Sequence, residues 1–104
     1  MRYLLDSVIL IDHFNGADAA SQFIIEHGAE CAISAITRAE VLTGFDAKSA
    51  KKAKVLLETF STIAITKVEA DRAAILRQEH RWKLPDALQA SVALDASPYR
   101  RFHY

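Results

Sequence analysis

Leu4-Leu5-Asp6-Ser7 changes from two apolar residues to an acid and a hydroxyl within one step of the chain. Arg2 to Leu5 is typical of a short buried strand, and Ser7 to Phe14 is typical of a helix that begins where the strand ends. Asn15-Gly16 then breaks the helix. This opening predicts a strand followed directly by a helix, with Asp6 at the carboxyl end of the strand.

The rest of the chain repeats the alternation of strands and helices. We therefore predict an α/β fold, a three-layer sandwich in which a short parallel sheet is flanked by helices. In such folds the active crevice lies at the carboxyl ends of the strands. The clearest predicted amphipathic helix covers residues 48–60. Its apolar stripe consists of Ala50, Ala53, Leu56, Leu57 and Phe60. The further predicted strands are residues 31–33 and 63–65, and the further predicted helices are 17–27, 36–45, 48–60, 69–80 and 85–94.

Three acids lie at or near the borders of apolar elements, where an unpaired charge is costly. Asp6 ends the first strand, Glu40 lies on the helix after the second strand, and Asp86 follows Pro85. Acids spread along a chain in this way suggest an oxygen-ligand site for a hard divalent cation. Such a site can activate water against a phosphodiester. Asp6 and Glu40 both belong near the carboxyl ends of strands, so we expect them to reach one crevice.

Each of these acids also has a plainer explanation. Asp6 would cap the helix that follows it. Glu40 would be a solvated charge or would form an ion pair with Arg38 or a neighbouring residue. Asp86 would be a first-turn acid that the helix dipole favours.

The last predicted helix bears on the choice for Asp86. Asp86 shares one face with the small residues Ala90 and Ala93, which predicts a close helix contact that carries Asp86 inside. Asp95 lies about 13 Å from Asp86 and on the opposite face, so both cannot bind one ion on a continuous helix. Asp12 lies roughly 9 Å along its helix from Asp6 and is predicted to be solvated or ion-paired.

Size and composition bound the function. The chain has 104 residues, of which 51% are apolar and 25% charged, and this fits one domain over residues 1–104. The formal net charge is zero, without the basic footprint of a dedicated nucleic-acid-binding module. A single cysteine, Cys31, excludes an internal disulfide and fits a reducing cytoplasm. Neither a signal pattern nor an apolar run of the roughly 18 residues that span a bilayer is present, so no membrane association is expected.

The three acids stand in three short segments of fixed order: Leu4-Leu5-Asp6-Ser7, Ile33-Ser34-Ala35-Ile36-Thr37-Arg38-Ala39-Glu40 and His80-Arg81-Trp82-Lys83-Leu84-Pro85-Asp86-Ala87. Together they resemble the PIN domain, and more narrowly the VapC-type ribonuclease toxins of bacterial toxin–antitoxin pairs. The resemblance covers residues 1 to about 95.

The resemblance implies an endoribonuclease that depends on Mg²⁺ or Mn²⁺. In that family pattern Asp6, Glu40 and Asp86 are the catalytic residues and hold the ion, which ionises a water that attacks phosphorus in line. A basic residue such as Arg38 would hold the phosphate. The resemblance also implies an RNA substrate, a small antitoxin that wraps the toxin and obstructs the site, a homodimer, and a cytoplasmic location.

The C-terminus departs from the family pattern, which continues into another strand and a turn with a fourth acid. Here residues 95–104 form a divergent tail in which no acid follows Asp95, and Pro98 is expected to end the helix. We therefore predict that the C-terminal strand is missing, which leaves an open edge beside the first strand and favours dimerisation. The tail aromatics Tyr99, Phe102 and Tyr104 would either cover that edge or be disordered.

Two further interpretations stay open at this point. The missing fourth acid suggests a catalytically impaired PIN-like module that binds an antitoxin partner through apolar grooves between helices. The same carboxylates would also serve a metal-dependent DNA nuclease.

Overall fold

The computed structural model describes residues 2–95 and, by its backbone, residues 99–102. Its strands are β1 (Arg2–Leu5), β2 (Cys31–Ser34), β3 (Ser61–Ile63) and β4 (Tyr99–Phe102). A short 3-10 turn covers Gly28–Glu30. The helices are α1 (Ser7–Phe14), α2 (Asp18–His27), α3 (Ala35–Thr43), α4 (Ala47–Leu57), α5 (Lys67–His80) and α6 (Leu84–Asp95).

The described strands form one parallel sheet in the order β3-β2-β1-β4. Side chains of adjacent strand residues point to opposite faces, so Leu4 and Leu5 enter different layers. Leu5 packs in a core with residues of α1, α2, α3 and α4, whereas Leu4 packs with Ala32 and Val92 on the other face. The predicted α/β sandwich with a parallel sheet flanked by helices is thus confirmed.

Capping residues explain where several helices begin. Asp6, Ser34 and Asp46 precede α1, α3 and α4, and the side chain of each accepts a hydrogen bond from a backbone N–H in the first turn. Two of these caps stand where strands end, because Asp6 follows β1 directly and Ser34 is the last residue of β2. The same local chemistry therefore ends the strand, starts the helix and sets the entry to each crossover.

The predicted position of the third strand was wrong by two residues. The apolar residues 63–65 suggested the strand, but β3 covers Ser61–Ile63, and Ser61 and Thr62 are exposed. Strand β3 lies at the edge of the sheet, where pairing with β2 sets its position, Ala32 standing beside Ser61. Ile65 instead packs beside the core formed by Leu4, Ala32 and Val92.

The predicted absence of a C-terminal strand was also wrong. Strand β4 pairs in parallel with β1 over four residue pairs, from Arg2 beside Tyr99 to Leu5 beside Phe102. The backbone N–H and C=O groups at this edge of β1 form the hydrogen bonds of the pairing. The aromatic residues of β4 also favour an extended conformation. The open edge expected at β1 is therefore covered. The expectations for Pro98 and Tyr104 lie outside the described residues.

Among the described residues, no helix is long and apolar enough to cross a membrane.

Candidate active site

The parallel sheet brings the carboxyl ends of β1 and β2 to the same edge, where α6 also lies. Asp6 follows β1 directly, and Ser34 is the last residue of β2. A cleft of about 110 Å³ opens there and is lined by Asp6, Ser7, Val8, Thr37, Glu40, Pro85, Asp86 and Gln89. The three acids singled out in the sequence thus line one cleft, although 80 positions separate the first from the last.

The two carboxylate oxygens of Asp6 can act separately, one in a helix cap and the other toward a ligand. The backbone N–H of Ile9 donates to Oδ1 at 3.2 Å, so Asp6 is the N-cap of α1. The predicted cap is therefore present, and whether Asp6 also binds metal is a separate question. Within the described residues, only Oδ1 is engaged in this way, which leaves Oδ2 for a ligand. The cap also holds the side chain in place at the half-buried wall of the cleft.

Glu40 and Asp86 are exposed where they line the cleft. The expectation that small residues of α6 carry Asp86 inside was wrong, because the residue stands in the first turn, at the open end of the helix. The suggested pairing of Glu40 with Arg38 is not found either. Arg38 instead donates to Glu58 of α4 at 2.9 Å.

Asp95 and Asp12, the two other acids considered in the sequence, lie outside the cleft. Asp95 pairs with Arg72 of α5 at 2.7 Å, and this contact fastens the end of α6 to α5. Asp12 is half-buried on α1. Neither residue lines the cleft, as the helical geometry predicted.

Oxygen donors alone decide which metals suit the cleft. Three carboxylates suit Mg²⁺ or Mn²⁺, whereas the described residues that line the cleft include neither histidine nor cysteine for a softer ion. In the part of the chain that the structure describes, however, no three His, Cys, Asp or Glu side chains converge into a ready-made cluster. The donor atoms in the cleft are thus of the type that binds a hard cation. The acids, however, lie further apart than they would in a site already arranged around a metal ion.

A buried polar network forms the floor of the cleft and was missed in the sequence. Ser34 Oγ donates to Gln89 Oε1 at 2.5 Å, and Thr37 Oγ1 donates to the same oxygen at 3.2 Å. Both hydroxyl groups therefore donate to one acceptor, the amide oxygen of Gln89. The only signal was a lone amide between the small or apolar residues of α6.

This network leaves one donor unused. Gln89 is only 6% exposed, and among the described residues its Nε2 has no hydrogen-bond partner. A buried amide without a partner is costly, so such a group is normally satisfied by water or by a ligand. Since Gln89 lines the cleft, its Nε2 is a neutral donor available to an oxygen atom bound there.

Comparison with known proteins agrees with this arrangement. The family model of the PIN domain matches residues 3–97. A chain in the structure of a toxin–antitoxin complex from Klebsiella pneumoniae is 36% identical, with a TM-score of 0.79 over 95% of this chain and 82% of that one. A chain of VapBC2 from Rickettsia felis, bound to a promoter DNA fragment, is 22% identical, with a TM-score of 0.72 over 89% and 80%. A search of curated proteins gave no match.

The family match extends over nearly the whole chain and includes all three acid-bearing segments. The first structural neighbour adds sequence identity to the likeness in fold, whereas the second supports the fold alone. The resemblance predicted from the three segments is confirmed, and the chain belongs to the PIN domain family.

Proposed function

We propose that this chain is a metal-dependent endoribonuclease toxin of a toxin–antitoxin pair, with Asp6, Glu40 and Asp86 as its catalytic and metal-binding residues. The observation that carries the proposal is that acids from three distant segments line one cleft at the carboxyl edge of the sheet. PIN domains are generally nucleases, and the structural neighbours come from toxin–antitoxin complexes.

The charge of the cleft favours metal dependence. Among the described residues, its lining contains three carboxylates and neither lysine nor arginine, and these side chains would repel a phosphate. Asp6, Glu40 and Asp86 would hold Mg²⁺ or Mn²⁺. A bound ion of this kind supplies Lewis-acid polarisation of the phosphodiester and lowers the pKa of a water molecule.

The side chains divide the remaining work. Asp6 is fixed by its cap and orients one carboxylate oxygen. Glu40 and Asp86 are exposed and free to adjust to a ligand. Gln89 offers a neutral N–H donor, which can orient a phosphate oxygen or a water without adding charge. Arg38 is held by Glu58 and does not line the cleft, so we no longer assign it to the phosphate.

The decisive experiment is a Mn²⁺ titration by calorimetry on the wild type, Asp86→Asn and Asp95→Asn. Asp95→Asn is the matched control, because it removes an acid from the same helix outside the cleft. We expect saturable binding to the wild type and Asp95→Asn, and none to Asp86→Asn. A well-folded wild type that binds no Mn²⁺ would refute the metal site.

The substrate class is tested separately. Single-stranded RNA and single-stranded DNA of the same sequence are incubated with the chain and Mn²⁺, with Asp6→Asn as the inactive variant. We expect cleavage of RNA that Asp6→Asn abolishes. Cleavage of DNA alone would instead support the DNA nuclease.

The antitoxin partner also belongs to this proposal. A second cleft of about 240 Å³ adjoins the first, because Glu40 lines both. It is otherwise largely apolar, with Ile11, Phe14, Val41 and Phe45 in its walls. An antitoxin segment that inserts an apolar side chain there would cover Glu40 and obstruct the carboxylates. Ile11→Lys should therefore weaken inhibition by the antitoxin while RNA cleavage by the free toxin persists.

We further propose that the toxin is a cytoplasmic homodimer. Several apolar side chains are exposed, including Val68 and Ile75 on α5, at 59% and 54%. Exposed apolar groups of this kind commonly mark contacts between proteins. Sedimentation should give about twice the monomer mass of 11.6 kDa. A concentration-independent monomer would contradict the dimer.

A second candidate function is a catalytically impaired PIN module that binds the antitoxin without cleaving RNA. It is favoured by the open spacing of the acids, because no three such side chains converge into a cluster among the described residues. This candidate predicts antitoxin binding without Mn²⁺ binding. Metal-dependent RNA cleavage that Asp6→Asn abolishes would exclude it.

A further inference from the structure

Another concave surface, separate from the two clefts already described, lies between the end of α5 and the start of α6. This cleft of about 300 Å³ is lined by Arg77, Gln78, Arg81 and Trp82. It shares none of its lining residues with the carboxylate cleft. Two guanidinium groups and an indole ring at one surface are the side chains that bind single-stranded nucleic acid.

The aromatic part of this surface is already ordered. The rings of His80 and Trp82 stack with centroids 4.3 Å apart and planes inclined by 16°. Trp82 remains 40% exposed, so the stack leaves indole surface available. A planar group held in this way loses little conformational freedom when a nucleobase stacks on it.

The cationic part is available as well. Arg77 and Arg81 are exposed, and neither forms an ion pair within the described residues. Arg81 ends α5 in the left-handed conformation, with φ of 55°, which is unfavourable for a residue other than glycine. The chain therefore turns sharply at this residue, immediately before Trp82.

The surface also lies close to the carboxylate cleft along the chain. Trp82 and Asp86 are four residues apart, and four residues span at most about 14 Å even when fully extended. A single strand of RNA bound at the carboxylates would pass within reach of Trp82. An acidic protein segment would satisfy the two arginines, but it would not use a stacked aromatic pair.

We propose that Arg77, Arg81 and the His80–Trp82 stack bind a nucleobase and an adjacent phosphate of the single-stranded RNA substrate, beside the cleavage site. The proposal rests on the proposed ribonuclease function, because it deepens that function with a second binding site. The stacked base supplies contact area, and the guanidinium groups neutralise the backbone. This site would choose which part of an RNA is presented to the carboxylates.

The test uses the fact that Trp82 is the only tryptophan of the chain, so its fluorescence reports on this surface alone. The full chain is titrated in EDTA with a single-stranded RNA oligonucleotide, and in parallel with polyphosphate, which has charge but no bases. RNA should quench the fluorescence to saturation and polyphosphate should not. RNA binding that leaves the fluorescence unchanged, or equal quenching by both polyanions, would overturn base stacking.

Variants complete the test through anisotropy of a labelled RNA. Trp82→Leu should weaken RNA binding about tenfold or more, since stacking on a side chain is worth that much per base. Trp82→Phe should recover most of the loss. Arg77→Gln and Arg81→Gln should each lower the salt dependence of log Kd by about one unit. The control pair Lys51→Gln and Lys52→Gln, exposed on α4, removes the same charge and should have little effect.

The two proposals fail independently. If the chain binds no Mn²⁺ but RNA quenches its fluorescence, the RNA-binding surface is supported and the proposed nuclease function is refuted. A chain that binds Mn²⁺ and cleaves RNA, with Trp82→Leu and both arginine variants equal to wild type, would keep the nuclease and overturn this surface. RNA that does not bind in EDTA at all would also overturn it.

Discussion

Ser34 and Gln89 are 55 positions apart, yet their side chains meet in a hydrogen bond of 2.5 Å. Ser34 ends β2 and caps α3, while Gln89 lies on α6 three residues after Asp86. This bond therefore ties the segment that carries the third acid to the segment that carries the second. A polar contact in the interior is thus one of the interactions that hold α6, and with it Asp86, against α3.

The network can be tested through stability. Gln89→Leu removes the buried acceptor that Ser34 and Thr37 share, while Ser34 Oγ can still donate to Thr37 Oγ1 at 3.2 Å. The variant leaves the Thr37 hydroxyl without its acceptor, and should lower the free energy of unfolding by about 1–3 kcal/mol. Urea denaturation measures the change. Gln22→Leu is the control, because Gln22 is exposed and its side chain donates to Glu26, which is also exposed. Its effect should stay within about 0.5 kcal/mol. Equal effects of both variants would contradict the role assigned to the network.

Asp6 allows its capping and metal-binding functions to be separated. Asparagine caps a helix as well as aspartate does, whereas alanine costs about 1 kcal/mol. Asp6→Asn should therefore unfold almost like the wild type, and Asp6→Ala should be less stable. Both variants should lose Mn²⁺ affinity in calorimetry. Normal Mn²⁺ binding by Asp6→Asn would remove Asp6 from the proposed metal site and leave it as a cap alone.

Cys31 should be an unreactive thiol in the folded chain. It is buried on β2, its Sγ donates to the carbonyl of His27, and burial raises its pKa from 9.0 to about 11. Thiolate is the reactive form, so modification by a thiol reagent at pH 8 should be slow, and fast in urea. Rapid modification of the native chain would show that β2 opens readily.

The same shift makes stability depend on alkaline pH. The folded chain holds the Cys31 proton up to about pH 11, whereas the unfolded chain releases it near pH 9. The contribution is therefore complete below pH 9 and is lost as the pH rises from 9 towards 11. Denaturation at a series of pH values should show this decline in the wild type. In Cys31→Ala, the free energy of unfolding should not show this part of the decline between pH 9 and 11.

Removal of β4 should promote association. A chain shortened to end at Asp95 would expose the backbone edge of β1, which β4 covers over four residue pairs. Unpaired edges recruit other strands. Light scattering should therefore report larger particles for the shortened chain than for the full one at equal concentration. Identical particle sizes would indicate that the edge is protected in another way.

The local patterns of the sequence predicted much of this fold. The apolar run before Asp6 gave β1 and the start of α1, because both depend on neighbouring residues and a cap. The apolar stripe of α4 predicted buried Ala53, Leu57 and Phe60. Asp6, Glu40 and Asp86 were found because each interrupts an apolar element, and the structure brings all three to one cleft.

The features that were predicted wrongly or missed all depend on contacts between distant parts of the chain. Strand β3 is fixed by pairing with β2 rather than by its own apolar pattern. Strand β4 was missed because the two arginines in its middle hide any alternation of apolar and polar residues. The network around Gln89 joins residues more than 50 positions apart. A single sequence carries little information about such pairs.

The neighbouring positions of β1 and β4 have a consequence for synthesis on the ribosome. Strand β1 emerges first, and its partner is made only after α6, almost one hundred residues later. Pairing between such distant segments is slow to form. Throughout translation, one edge of β1 is therefore available to any extended segment nearby, including the β1 edge of another nascent chain on the same messenger RNA.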